Sequence, residues 1–216
     1  MAHISAHCNG CGGTRNHEQL HLERSTWEIE SFDLRGIDTF ETLKCLGCGE
    51  IKMRNTKWVS DEHPHVTYFP PPMFRPEPPW FQDLRQDLPL GEEKIATLLK
   101  EIYVALHNNL LTLAAMGVRA LIERIMILKV GDHGRFAENL KQFELAGYVS
   151  RIQRERLEDV LQVGHAAIHR GLTPARHDMA VVLDIVEHLI ETVYLHDENL
   201  QAIKARTPRR AKKPES

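Results

Sequence analysis

The sequence predicts an α+β fold, mainly α, with a small β module at the N-terminus and a helical bundle at the C-terminus. Two changes of rhythm predict it. Up to about residue 60 the apolar residues recur at every second position, and from Gly91 onward they recur at every third and fourth. Between these regions, residues 64–89 hold eight of the eleven prolines, which breaks either pattern.

The β module is expected over residues 1–62. Leu20 and Leu22 alternate with polar neighbours, Trp27 and Ile29 continue the period, and Ile51 and Met53 alternate again before Trp58. The four cysteines fall as Cys8-Asn-Gly-Cys11-Gly and Cys45-Leu-Gly-Cys48-Gly, which leaves no thiol over. Two residues between thiolates let one tight turn bring both sulfurs to one ion. The glycine that follows lets the backbone turn its amides toward them. Two such turns joined by hairpins predict a zinc ribbon, with structural Zn²⁺ on Cys8, Cys11, Cys45 and Cys48. The competing expectation is a pair of disulfides. The N-terminus shows no charged-then-apolar leader pattern, so the expectation is a cytoplasmic, reducing location and zinc. With few large apolar residues in the module, the metal is expected to supply much of its folding energy. His3, His7, His17, His21, His63 and His65 cluster nearby and are expected on the surface.

Residues 63–90 are read as a linker, extended rather than helical, because proline fixes φ and removes a donor. Its aromatics Tyr68, Phe69, Phe74, Trp80 and Phe81 are expected to pin it onto the helical domain. The bundle is expected over 91–200. Its helices cover about 92–107, 108–129 and 135–146, then a fourth from the Ser150-Arg-Ile-Gln153 capping box to just before Gly171. Thr173-Pro174 gives a cap with proline at the first helical position and opens the last helix. There Met179, Val182, Val186, Leu189 and Val193 form a stripe widened by Leu183, Ile185, Ile190 and Tyr194, wide enough for a bundle interior or a partner subunit.

The formal charge of −3 conceals an asymmetry. Residues 201–216 carry six cations and Glu215, so this tail is +5 and the preceding 200 residues are −8. The tail is expected to be a solvated, disordered end. The acidic body excludes a general polyanion binder, so nucleic acid would need a local patch or the tail. No apolar run approaches the roughly 18–20 residues of a membrane helix. Gly-x-Ser-x-Gly and phosphate-loop signatures are absent.

Two polar features interrupt the helices. On the fourth, Glu158, Gln162, His165 and His169 form a stripe beside the apolar face of Leu157, Val160, Leu161, Gly164 and Ile168. Gly164 and Ala166-Ala167 leave room for close approach by another helix, and the helix end at His169-Arg170 favours cations. On the second, Arg119 and Glu123 stand four apart in an otherwise apolar run, and either pair with each other or share a site with the histidines.

The string Val163-Gly164-His165-Ala166-Ala167-Ile168-His169 resembles the Gly-Asn-x-Ala-Ala-His signature of a bacterial family of unknown function in the HEPN (higher eukaryote and prokaryote nucleotide-binding) superfamily. Val118-Arg119-Ala120-Leu121-Ile122-Glu123 resembles the Arg-x-x-x-Glu segment of its long helix, and the paired cysteines and Tyr68-Phe69-Pro70-Pro71-Pro72 resemble its N-terminal features. The resemblance covers most of residues 8–195. It implies a HEPN-like helical bundle that forms homodimers, in a prokaryotic defence or toxin-type setting. Active members cut RNA without metal, using an arginine and a histidine with four to six residues between them. Here His169 matches the histidine and His165 stands where asparagine is usual, but Gln162, Val163 and Gly164 occupy the arginine positions. Arg170 and His177 have the spacing but straddle Gly171 and Pro174.

Cleavage by this route needs a base for the 2′-hydroxyl and a cation for the phosphate. His165 and His169 would be base and acid, and the cation would come from Arg119, Arg170 or a partner subunit. The leading expectation is a module that binds RNA, a nucleotide or a protein partner without cutting, with Gln162, Glu123 and Arg170 as binding residues. The alternatives are an endoribonuclease and a pure protein-interaction adaptor. A second metal on His165 and His169 is disfavoured, since no carboxylate stands in a Glu-x-x-His relation to either.

Overall fold

The computed structural model describes residues 3–60, 62–196, 203, 206 and 207. The chain divides into two compact units, Met1–Arg75 and Pro76–Ser216. Helix accounts for 49% of the protein and strand for 25%, a mixed fold weighted toward helix. Apart from Ile203, Arg206 and Thr207, the basic tail lies outside the described residues. Among the described residues no helix is long and apolar enough to cross a membrane.

The first unit is a five-stranded antiparallel sheet in sequential order: β1 (Ile4–Cys8), β2 (Gly13–Ile29), β3 (Leu34–Cys45), β4 (Ile51–Val59) and β5 (His65–Phe69). Side chains alternate across a sheet, and directly opposed residues share a face. Ile4 opposes His17, His17 opposes Cys45, and Leu43 opposes Lys52. One face therefore carries Ala6, Cys8, His17, Leu43, Cys45 and Lys52, and all six are buried. The alternating residues that announced the strands are mostly outside that interior: Leu20, Leu22, Ile29, Ile51 and Trp58 are at least 40% exposed. A bulge between Gln19 and His21 also shifts the register where Leu20 sits. His17, expected on the surface, is fully buried because it lies directly opposite Cys45.

The proline-rich stretch departs from a uniformly extended linker. His65–Phe69 joins the sheet as β5, and the chain beyond it is tied to the first cysteine turn, where Asn9 donates to the Pro71 carbonyl and accepts from the Met73 amide. Phe81–Asp87 is helical (α1), since no proline falls between Pro79 and Pro89. The aromatics divide accordingly. Tyr68 and Phe69 belong to β5, while Phe81 is buried in the second unit, its ring 6.4 Å from Tyr103.

The second unit continues with α2 (Lys94–His107), α3 (Leu111–Val130), α4 (Phe136–Leu145), α5 (Arg151–His169) and α6 (Arg176–Ile190), followed by a π-helical turn, Glu191–Leu195. Its interior is aliphatic: Leu99, Leu106, Leu121, Ile122, Ile125, Leu183 and Ile190 are fully buried. The expected capping box opens α5, where the Ser150 hydroxyl accepts from the Gln153 amide and the Gln153 side chain accepts from the Ser150 amide. The last helix begins later than Thr173-Pro174. Its cap is Ala175, whose free amide is taken by the Asp178 carboxylate at 3.0 Å, while Pro174 is buried ahead of the helix. In the interior of the second unit Tyr103 donates a hydrogen bond to Glu187, joining α2 to α6.

Candidate functional site

The four cysteines converge. Their sulfurs lie within 4.8 Å of one another, with Cys8 and Cys48 at 3.4 Å and Cys11 and Cys45 at 3.9 Å. A disulfide requires about 2.05 Å, so these are four free thiols. Four sulfurs around one tetrahedral ion at the usual metal–sulfur length of about 2.3 Å stand about 3.8 Å apart, and the observed separations bracket that value. The turns that make this possible need left-handed backbone just after each pair, and Gly12 (φ +65°) and Gly49 (φ +79°) supply it. Amides then face the sulfurs: Cys11 N–H to Cys8 Sγ and Gly47 N–H to Cys45 Sγ, both at 3.4 Å. The residues present fit one metal ion.

Those amides also prepare a thiolate. The backbone N–H groups of Cys48 and Gly47 pull the Cys45 thiol down to about 7, against the burial that opposes them. Cys8 is displaced the other way, raised by burial and by its bond to Glu50. Glu50 Oε2 accepts from Cys8 Sγ at 2.8 Å and from the Gly10 amide at 2.9 Å. Burial pushes the Glu50 carboxyl up, but the Cys8 thiol, the Gly10 amide and the Lys52 charge outweigh it and hold it below the ordinary carboxylate range. Sequence reading passed over Glu50 and Lys52 and set His17 on the surface. The available signal was position: Glu50 directly follows Cys48-Gly49, and Lys52 has the same parity in an alternating strand.

A second cluster forms where α5 ends against the middle of α3. The His165 and His169 rings are 4.6 Å apart. Gly164 makes the approach of the helices possible, since a Cβ there would lie 2.9 Å from both the Ala115 carbonyl oxygen and Arg119 Cβ. Arg119 turns away from Glu123. Its Nη1 donates to the Leu161 carbonyl at 3.5 Å, and its guanidinium lies over the Phe136 ring, 4.6 Å from the centroid. The helix-internal salt bridge that the spacing allowed is thus replaced by contacts with the neighbouring helices, and Glu123 is half-buried one turn further along α3. Gln162, His169 and Arg170 are exposed, and His165 is half-buried. The His165 imidazole is held below its ordinary value by burial first, then by the charges of His169, Arg170 and Arg119.

A separate cavity of about 190 Å³ lies between the start of α5 and the end of α6, lined by Tyr148, Arg156, Leu157, Asp184, His188 and Leu189 among others. The histidine pair is at the opposite end of α5.

A family model described as "Domain of unknown function (DUF4145)" matches residues 100–213. No curated protein and no solved structure matches the chain significantly.

Proposed function

We propose that this chain, which belongs to the DUF4145 family, binds RNA or a nucleotide through the cationic end of α5, with a zinc ribbon as a structural companion module. The observation that carries the reading is the pair of imidazoles at the end of α5, rings 4.6 Å apart, with the Arg119 and Arg170 charges acting on His165. An otherwise acidic body with one such local patch suits a phosphate ligand. The Gly164-His165-Ala166-Ala167 string and His169 add the resemblance to HEPN proteins, and with it the expectation of a homodimer that places two such patches together. Zinc is the ion of choice for four thiolates at this spacing.

The test is binding of a short labelled single-stranded RNA by fluorescence anisotropy across a salt series. Wild type binds at low salt, and Arg170→Gln lowers the salt slope by about one. His169→Ala weakens binding without altering the helical spectrum. No RNA retained at any salt contradicts the reading. Light scattering that gives a monomer at micromolar concentration removes the paired patch.

A metal-independent endoribonuclease is the second reading, favoured by the 4.6 Å separation of the rings and the depressed His165. Neutral His165 would take the 2′-hydroxyl proton, the 2′-oxygen would attack the phosphorus, and His169 would protonate the departing 5′-oxygen, leaving a cyclic phosphate. Arg119, Arg170 or a partner's cation would stabilise the strained phosphate. RNA cleaved in EDTA by zinc-loaded protein, and left intact by His169→Ala, selects this reading over simple binding.

A further inference from the structure

Lys52 is the most anomalous side chain in the sheet unit. It is 2% exposed, and no hydrogen-bond acceptor reaches its Nζ. Its Nζ lies over the face of Tyr68, 5.3 Å from the ring centroid, a weak substitute for a counter-ion. Arg54, on the same face, shows the usual solution: its Nε meets Glu41 Oε2 at 2.6 Å. An ammonium buried without such a partner is expensive, and chains tolerate it where a field of opposite sign is close.

The register identifies that field. Lys52 opposes Leu43, two residues before Cys45 on the same face, and Cys45 opposes His17 beside the strand that carries Cys8. Its charge already acts on Glu50, the carboxylate hydrogen-bonded to Cys8. Four thiolates around one divalent ion leave an excess of about two negative charges, and Glu50 adds another. Arg15 reaches the same turn, donating to the Cys11 carbonyl at 3.3 Å, but it is exposed and screened by water. Lys52 acts through the low-dielectric interior, where a charge is felt more strongly.

We infer that Lys52 is the buried counter-charge of the four-thiolate centre, a positioning residue that sets how tightly the ion is held and how readily the sulfurs release it. The inference rests on the metal reading above. It assigns to one lysine a property that cysteine spacing cannot supply: without this cation the sulfurs hold more uncompensated charge and exchange their ion faster.

The experiment measures zinc on the full chain by elemental analysis, then affinity by competition with a chromophoric chelator and release rate into excess chelator. Lys52→Met is expected to weaken zinc binding by roughly tenfold to a hundredfold and to speed release in proportion. Lys52→Arg, which keeps the charge, should stay near wild type. Glu50→Gln removes a negative charge and should slow release. In combination with Lys52→Met it should bring the affinity back toward wild type. Zinc-loaded Lys52→Met protein with unchanged affinity and release rate overturns the inference. Should Lys52→Met not fold, Glu50→Gln decides, and release that is unchanged or faster overturns it. Wild type purified without metal, and taking up none on titration, defeats the metal reading itself, a result separable from the others.

Discussion

The two units of this chain solve the same problem with opposite materials. The helical unit buries a continuous aliphatic interior, with Leu99, Leu106, Leu121, Ile122, Ile125, Leu183 and Ile190 all fully withdrawn from water. The interior face of the sheet unit holds Ala6, Cys8, His17, Leu43, Cys45 and Lys52, and among the described residues Leu43 is the one large aliphatic side chain buried there. Burial of a leucine or isoleucine contributes about 1.5–3 kcal/mol, and many such terms stabilise a bundle. One leucine and an alanine cannot offset the conformational entropy of five strands. The sheet must draw its stability from elsewhere, and a metal ion on the four convergent sulfurs would supply it. Local architecture can therefore be complete while the interior is chemically foreign to a hydrophobic core.

Breaking the sheet's support should give the largest effect. Cys45→Ser removes one of the four thiols, and in comparable modules the metal such a set holds contributes on the order of 10 kcal/mol, as much as a whole small domain's net stability. Limited proteolysis should then cut within residues 1–75 and leave a resistant fragment from 76 onward. A core truncation in the other unit should do the reverse. Leu121→Ala should cost about 2–5 kcal/mol by calorimetry and leave the metal content of the protein unchanged. Gly164→Ala is a smaller and more local test. The added Cβ meets the Ala115 carbonyl, which cannot swing aside, so a net loss of about 1–2 kcal/mol is expected despite alanine's better helix propensity. Ser150→Ala removes the capping hydroxyl of α5 and should cost about 1 kcal/mol in chemical denaturation.

The pH response sharpens the same contrast. Folding depresses His165, so between its folded value and the ordinary value near 6.5 the unfolded chain binds more protons. Stability of the helical unit should rise with pH across that window, and His165→Gln should flatten the slope in melts taken at successive pH values. A bound phosphate reverses the preference by favouring the imidazolium. Under the proposed function, RNA affinity should therefore increase as pH falls through the same window, with the smallest expected change of this set.

The cysteine turns and the α5 cap were legible because each is a local rule. Cys-x-x-Cys-Gly encodes a knuckle whose glycine takes positive φ, and Ser-x-x-Gln encodes reciprocal bonds to free amides. Strand existence was legible from alternation, but not which face goes inside. Ile51 and Met53 advertise an apolar face, yet Lys52 is the residue buried, because Cys45 and Leu43 across the ladder decide the inner side. His17 was misplaced for the same reason. Helix α1 was hidden by the prolines that precede it, and Thr173-Pro174 lost the cap to Ala175 because Asp178 sits three residues on and binds its amide. The turn of Arg119 toward Leu161 and Phe136 depends on helix packing around Gly164, which spacing along one helix does not report.

Hydrogen exchange of the whole chain, followed by mass spectrometry before and after a strong chelator is added, tests the contrast most directly. The account predicts that amides across β1 to β5 lose protection together while α2, α3, α5 and α6 keep theirs. Strands that stay protected after metal is stripped, or helices that open along with them, would contradict it.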